Sequence, residues 1–170
     1  KEVDIKFSWQ NFDAMNKDLI DAKSKRLFFV SDPKEFIFKS DNTIMKEAPW
    51  HPDNKELGNR EESVSSGSKI YLPSGDLSKI KDVSEMRLKN LCNVKINGNK
   101  LEFSDFEHKK AIPIFQWCSG SKDLVLYYPD GTISQGLVED NIDELDDTVV
   151  QFERTGFVRL EGDKAFFLHR

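Results

Sequence analysis

The spacing of apolar residues along the chain changes near residue 27. Ahead of it, Trp9, Phe12, Met15, Leu19 and Ala22 recur at three- and four-residue steps. That spacing predicts one helix over Ser8–Arg26 with a single apolar stripe. Ser8 suits its N-cap, and Lys23, Lys25 and Arg26 suit the negative end of its dipole. From Leu27 onward, short aromatic and β-branched runs take over: LFFV (27–30), EFIFK (35–39), KIYL (69–72), RLKNLCNVKI (87–96), KLEF (100–103), AIPIFQW (111–117), DLVLYY (123–128), TISQGLV (132–138), TVVQFER (148–154), GFVRL (156–160) and KAFFL (164–168). Each reads as a strand. Asp32-Pro33, Asn97-Gly98, Pro129-Asp130-Gly131 and Gly162-Asp163 punctuate them. Asn97-Gly98 between two strands predicts a type I′ hairpin turn. Closely spaced short strands predict a mainly β barrel or sandwich. Two stretches break the pattern: Glu47–Ser68 reads as a polar loop, and Ser74–Val83 as a short helix.

Composition supports a folded β domain. The 170 residues include 13 Phe and 3 Trp, enough aromatic volume for a core. At this size a domain buries about 70% of its unfolded surface and needs no staple. No run approaches the roughly 20 apolar residues of a membrane helix, so no membrane partner is expected. Cys92 and Cys118 lie in apolar runs and read as buried reduced thiols. Trp50 and Trp117 read as core residues.

Charge points away from nucleic acid on average. The net charge is −5. However, Glu139, Asp140, Asp143, Glu144, Asp146 and Asp147 are concentrated in one stretch that reads as a solvated loop or helix. Without them the remainder is close to neutral. Lys79, Lys81, Arg87, Lys89 and Lys95 leave room for a basic face on the rest of the chain.

No catalytic pattern appears. There is no glycine-rich phosphate loop and no nucleophile motif. The three histidines are scattered and match no zinc spacing. His51-Pro52-Asp53 matches a chaperone J-domain tripeptide, but that domain is all-helical and this context is β-rich. Binding is therefore expected, not catalysis.

One pattern is more informative. SWQNFDAMNKDLIDAKSKRLFFVSDP (8–33), HPDNKELGNRE (51–61), EMRLKNLCNVKI (85–96), IFQWC (114–118) and VVQFERTGFVRL (149–160), closed by AFFLHR (165–170), follow one another in an order and spacing that resembles one family. They look like the carboxy-terminal anticodon-binding region of an archaeal-type glutamyl-tRNA synthetase, a class I enzyme. The resemblance implies two β-barrels akin to ribosomal protein L25, an L25-like pair preceded by a helical connecting segment. Residues 1–26 would be the connector to an absent catalytic domain. Residues 27–170 would hold both barrels, the distal one at roughly 67–144 and the remainder proximal, with discontinuous segments left open.

The resemblance also implies site residues. The Gln and Arg of a QFER motif contact the middle anticodon base, a uracil; they correspond to Gln151 and Arg154. Arg26 would lie near the first base, as would Arg87 and Lys89. Lys89 stands where the glutaminyl relative has Arg, which keeps the charge and loses the fork. Pro52 matches the HPN segment of that relative, whereas Asp53 departs from it. Lys79 and Lys81 fall in the segment that reads the third base. No cofactor is expected in these residues; ATP and Mg²⁺ would belong to the catalytic domain of a cytoplasmic, monomeric glutamate–tRNA ligase. The expected partner is a glutamate tRNA, with a glutamine tRNA as a second candidate.

The chemistry suits the assignment. Single-stranded bases are read by stacking and by bonds to their Watson–Crick edges. Uracil shows an N–H between two carbonyl oxygens, and a carboxamide offers both an acceptor and donors. One obstacle is geometric: on a regular strand, Gln151 and Arg154 face opposite ways. A strand end or a bulge near Thr155-Gly156 would remove it. The bland alternative is an exposed Gln151, with Arg154 paired to Glu153 or another acid, and Arg87 and Lys89 on a solvated strand face. Arg60 would either hold a phosphate or tie its loop down. Competing classes are a glutaminyl-tRNA synthetase region, a free-standing L25-like barrel that binds ribosomal RNA, and a protein-interaction module.

Overall fold

The computed structural model describes residues 17, 19–120, 122–145 and 148–169. Of the predicted helix, Lys17 and Leu19–Asp21 are helical. Residues 8–16 and 18 lie outside the described residues. Arg26 is already in a strand.

Fifteen strands follow in chain order among the described residues: β1 (Arg26–Leu27), β2 (Phe29–Ser31), β3 (Pro33–Lys39), β4 (Ile44–Pro49), β5 (Asn59–Val64), β6 (Lys69–Pro73), β7 (Glu85–Leu88), β8 (Asn93–Asn97), β9 (Lys100–Asp105), β10 (Ile114–Phe115), β11 (Lys122–Tyr127), β12 (Ile133–Val138), β13 (Val149–Phe152), β14 (Gly156–Glu161) and β15 (Lys164–His169). They form a seven-stranded sheet, β1-β13-β14-β15-β11-β12-β2, a six-stranded sheet, β10-β7-β8-β9-β3-β6, and the hairpin β4-β5. The two large sheets are nearly closed barrels. The expected division put roughly 67–144 in one barrel. In the structure, the six-stranded barrel draws on 33–39 and 69–115, and the seven-stranded barrel on 26–31 and 122–169. The interleaving rests on β1 and β2, which pair with β13 and β12 far along the chain, while β3 joins the other barrel between β6 and β9.

The segment LFFV runs between the barrels and feeds both. Leu27 and Phe29 enter the core of the seven-stranded barrel, and Phe28 enters the other. The two-residue alternation of an extended chain sends successive side chains to opposite sides. Here each side is a hydrophobic core, so no position in the run is polar.

Two local expectations are corrected. Glu47–Ser68 is not a loop throughout: β4 and β5 pair antiparallel from Ile44↔Val64 to Pro49↔Asn59. The inward positions of β5 are Arg60, Glu62 and Val64, so two charged residues hide the strand period. The 97–100 turn pairs Asn97 with Lys100 and has Gly98 at φ 59. Among the described residues the non-glycine positions with positive φ are Asp32, Asn90 and Arg154, so Asn99 is not one. Glycine first is the II′ pattern, not I′. The acidic stretch is a 3-10 helix over Asp140–Leu145 whose Ile142 and Leu145 enter the core. The predicted helix after Ser74 is also 3-10, over Ser74–Ile80. Cys92 and Cys118 are both buried, and burial pushes the Cys92 thiol up to about 12.

Candidate anticodon-recognition surface

Gln151 and Arg26 are register partners on parallel strands β13 and β1. The Gln151 N–H donates to the Lys25 carbonyl at 2.9 Å, and the Glu153 N–H donates to the Leu27 carbonyl at 3.0 Å. Val150, Phe152 and Leu27 alternate inward, so Gln151 and Arg26 share the outward face. Both are half-buried. Among the described residues nothing engages the Gln151 carboxamide. The Arg26 guanidinium donates to Asp21 at 3.2 Å.

Strand β13 stops at Phe152, and Glu153–Thr155 form a turn in which Arg154 has φ 64. Gly156, at φ 145, packs so tightly that a Cβ there would stand 2.6 Å from the His169 carbonyl oxygen. Ending the strand in a left-handed residue frees Arg154 from the strand's alternation. Its guanidinium then reaches the other barrel: Nη1 donates to Asp76 at 3.0 Å and Nη2 to the Ile114 carbonyl at 3.1 Å. The Arg154 side chain remains 50% exposed. Asp76 also pairs with Lys79 on the same 3-10 helix. Lys81 is exposed just past that helix.

Lys89 pairs with Glu153, a second link between the barrels, and its carbonyl accepts the Trp117 Nε1–H at 2.9 Å. Arg87 is buried, not on a solvated face. Its Nη1 donates to Asn93 Oδ1 at 2.7 Å and to the Glu107 carbonyl at 3.1 Å. Arg87, Lys89, Asn90, His108 and Ile114 face Lys46–Pro49 of the hairpin across a cleft of about 360 Å³. Pro52 is exposed on the bend after Trp50, whose carbonyl accepts the Arg26 N–H at 2.8 Å. His51 Nε2 lies 3.7 Å from Asp21, the partner of Arg26. The structure thus brings Arg26, Gln151 and the Pro52 bend together, and links Arg154 to Lys79 through Asp76. Arg87 and Lys89 share the neighbouring cleft.

Sequence reasoning left Arg60 open and misplaced Glu139. Arg60 is a buried tie: it donates to Glu62 at 2.7 Å, to the Arg26 carbonyl at 2.5 Å and to Glu139 at 3.1 Å. Its guanidinium lies over the Trp50 ring at 4.8 Å. Glu139 also accepts the Phe28 N–H at 2.7 Å. Burial pushes the Glu139 carboxyl up to about 8, against the pull of Arg60. Asp76 was missed as well; its spacing of three from Lys79 was the available signal.

A family model described as "tRNA synthetases class I (E and Q), anti-codon binding domain" matches residues 24–110, and a second with the same description matches residues 99–161. The chain belongs to this family. This anticodon-binding domain is 34% identical over 172 residues to a glutamate–tRNA ligase of Thermoplasma volcanium, covering 99% of the chain and 31% of the relative. It is 34% identical over 186 residues to the glutamate–tRNA ligase of Pyrococcus abyssi, covering 100% of the chain and 33% of the relative. With that of Methanoculleus marisnigri, identity is 36% over 187 residues, covering 99% of the chain and 32% of the relative. The anticodon-binding domain spans about a third of the length of these curated relatives.

Proposed function

We propose that this domain selects a glutamate tRNA as the carboxy-terminal part of a cytoplasmic, monomeric glutamate–tRNA ligase. A separate amino-terminal domain of that enzyme would use ATP and Mg²⁺ to activate glutamate and esterify it to the tRNA. The domain described here supplies selection and is inactive alone. A glutamine tRNA, which shares the middle uracil, is the second substrate to try.

Gln151 and Arg154 read the middle base. The observation that carries this reading is Gln151 itself: a half-exposed carboxamide beside Arg26, with Arg154 at the end of the same strand. A carboxamide can accept from the uracil N–H and donate to one flanking oxygen, and a guanidinium supplies donors for the other or for a phosphate. Arg26 and the Pro52 bend flank that position on one side. Arg87 and Lys89 belong to the first base. The carbonyls around Arg87 leave Lys89 as the more accessible of the two. Lys79 and Lys81 belong to the third base. The bland alternative has support of its own, because Arg154 is paired with Asp76. Under that reading Arg154 only clasps the barrels.

Titration with glutamate tRNA transcripts carrying uracil or cytosine at the middle anticodon position separates the two readings. A preference for uracil, lost in Arg154→Ala, supports base reading. Equal binding of both transcripts by the unaltered domain removes it. A protein-interaction module would in addition bind without the steep salt dependence of phosphate contacts.

A further inference from the structure

Asp76 is the one carboxylate in contact with two candidate readers from different barrels among the described residues. Arg154 comes to it from the β13–β14 turn of the seven-stranded barrel, and Lys79 from its own 3-10 helix on the six-stranded barrel. Only 16% of its side chain is exposed, whereas Arg154 remains 50% exposed. Arg154 commits one N–H to Asp76 and one to the Ile114 carbonyl. A guanidinium has five N–H groups in a rigid fork, so three remain for a ligand. Both anchors lie on the six-stranded barrel, and the Arg154 backbone is held in the left-handed region.

We propose that Asp76 is a positioning residue for base selection: it fixes the Arg154 guanidinium at the barrel junction so that the remaining donors meet the middle base in one orientation. This rests on the base-reading role proposed for Arg154. The physical basis is pre-organisation. A free arginine side chain must be ordered when RNA binds, at a cost in conformational entropy. An anchored one has lost that freedom on folding. The anchor also makes the reading geometry depend on both barrels being docked, because Arg154 and Asp76 belong to different ones.

Simple electrostatics predicts a different outcome for removal of the carboxylate. Deleting a negative charge beside a polyanion raises affinity for any RNA. Positioning instead predicts loss of discrimination. Asp76→Asn keeps the size of the side chain, and Asp76→Glu keeps the charge. Both would be titrated against the uracil and cytosine transcripts. In parallel, the Arg154 Nε–H resonance would be followed by NMR as a direct report on its order.

The expected result is a fall in the uracil-to-cytosine preference of Asp76→Asn by roughly fivefold or more, the low end of a specific base contact. Affinity for the cytosine transcript should be unchanged or higher. The Arg154 resonance should become motionally averaged, and Asp76→Glu should recover part of the preference. A preference retained in Asp76→Asn overturns the inference and leaves base reading intact. Equal losses for both transcripts also overturn it, because Asp76 would then be merely structural. An unaltered domain with no preference overturns base reading, and this inference with it.

Discussion

Arg26 and Gln151 stand opposite each other on two parallel strands, joined by the 2.9 Å bond from the Gln151 N–H to the Lys25 carbonyl. They are separated by most of the chain, and their side chains leave the sheet on the same face. This pairing places a guanidinium beside a carboxamide at the edge of the seven-stranded barrel. It also ties the entry of the chain into the barrels to the strand that carries the proposed base reader.

Arg87 and Lys89 should separate stability from binding. Truncation of Arg87 would leave the buried Asn93 carboxamide oxygen without its 2.7 Å donor, whereas the Glu107 carbonyl keeps the Asn93 Nδ2–H at 2.7 Å. Arg87→Ala is expected to destabilise by about 1–3 kcal/mol, the range for an orphaned buried polar group. Lys89→Ala breaks a partly exposed pair, for which the expected cost is under about 1 kcal/mol. Urea unfolding measures both. Lys89→Ala should still lower tRNA affinity, whereas equal stability losses would count against the buried network.

Glu139 should give the fold a pH signature. Its carboxyl is raised from 4.5 to about 8 in the folded protein. Between those values the folded state holds a proton that the unfolded state has lost. Stability from this group therefore falls as pH rises through that window. Glu139→Gln keeps an acceptor for the Phe28 N–H and removes the titration. The variant should gain on the wild type from pH 5 to 8 in thermal unfolding. A wild type that gains on Glu139→Gln over the same range would mean that the ionised Arg60 pair outweighs burial.

Gly156 should be intolerant of any side chain. A Cβ there would lie 2.6 Å from the His169 carbonyl oxygen and 2.8 Å from the Phe167 ring, at φ 145. Gly156→Ala is expected to cost roughly 2–4 kcal/mol from strain and overpacking together. Gly98 has φ 59 and open space around it, so Gly98→Ala should cost only about 1–2 kcal/mol. Denaturant midpoints of the two variants compare them directly. Equal values would mean that the β14–β15 packing gives way easily.

The strands were legible where hydrophobic alternation carried them, from LFFV to KAFFL. Strand β5 was hidden because Arg60 and Glu62 occupy its inward positions, where the pattern calls for apolar residues. Glu139 was hidden for a related reason: surrounded by acids in sequence, it turns into the junction and meets Arg60. The interleaving of the barrels depends on strand partners far apart in sequence, which periodicity cannot pair. Among the site residues, the QFER stretch gave the residue types but not the geometry. The left-handed turn at Arg154 leads into Gly156, which packs closely against β15, and the anchor at Asp76 comes from the other barrel.

The central claim is base reading by Gln151 beside Arg26 and Arg154. The measurement is a titration of the unaltered domain, Gln151→Ala and Arg154→Ala against glutamate tRNA transcripts with uracil or cytosine in the middle of the anticodon. The account predicts a uracil preference in the unaltered domain that each variant loses by about 5- to 150-fold, equivalent to about 1–3 kcal/mol per contact. Equal binding of both transcripts by all three proteins would contradict it.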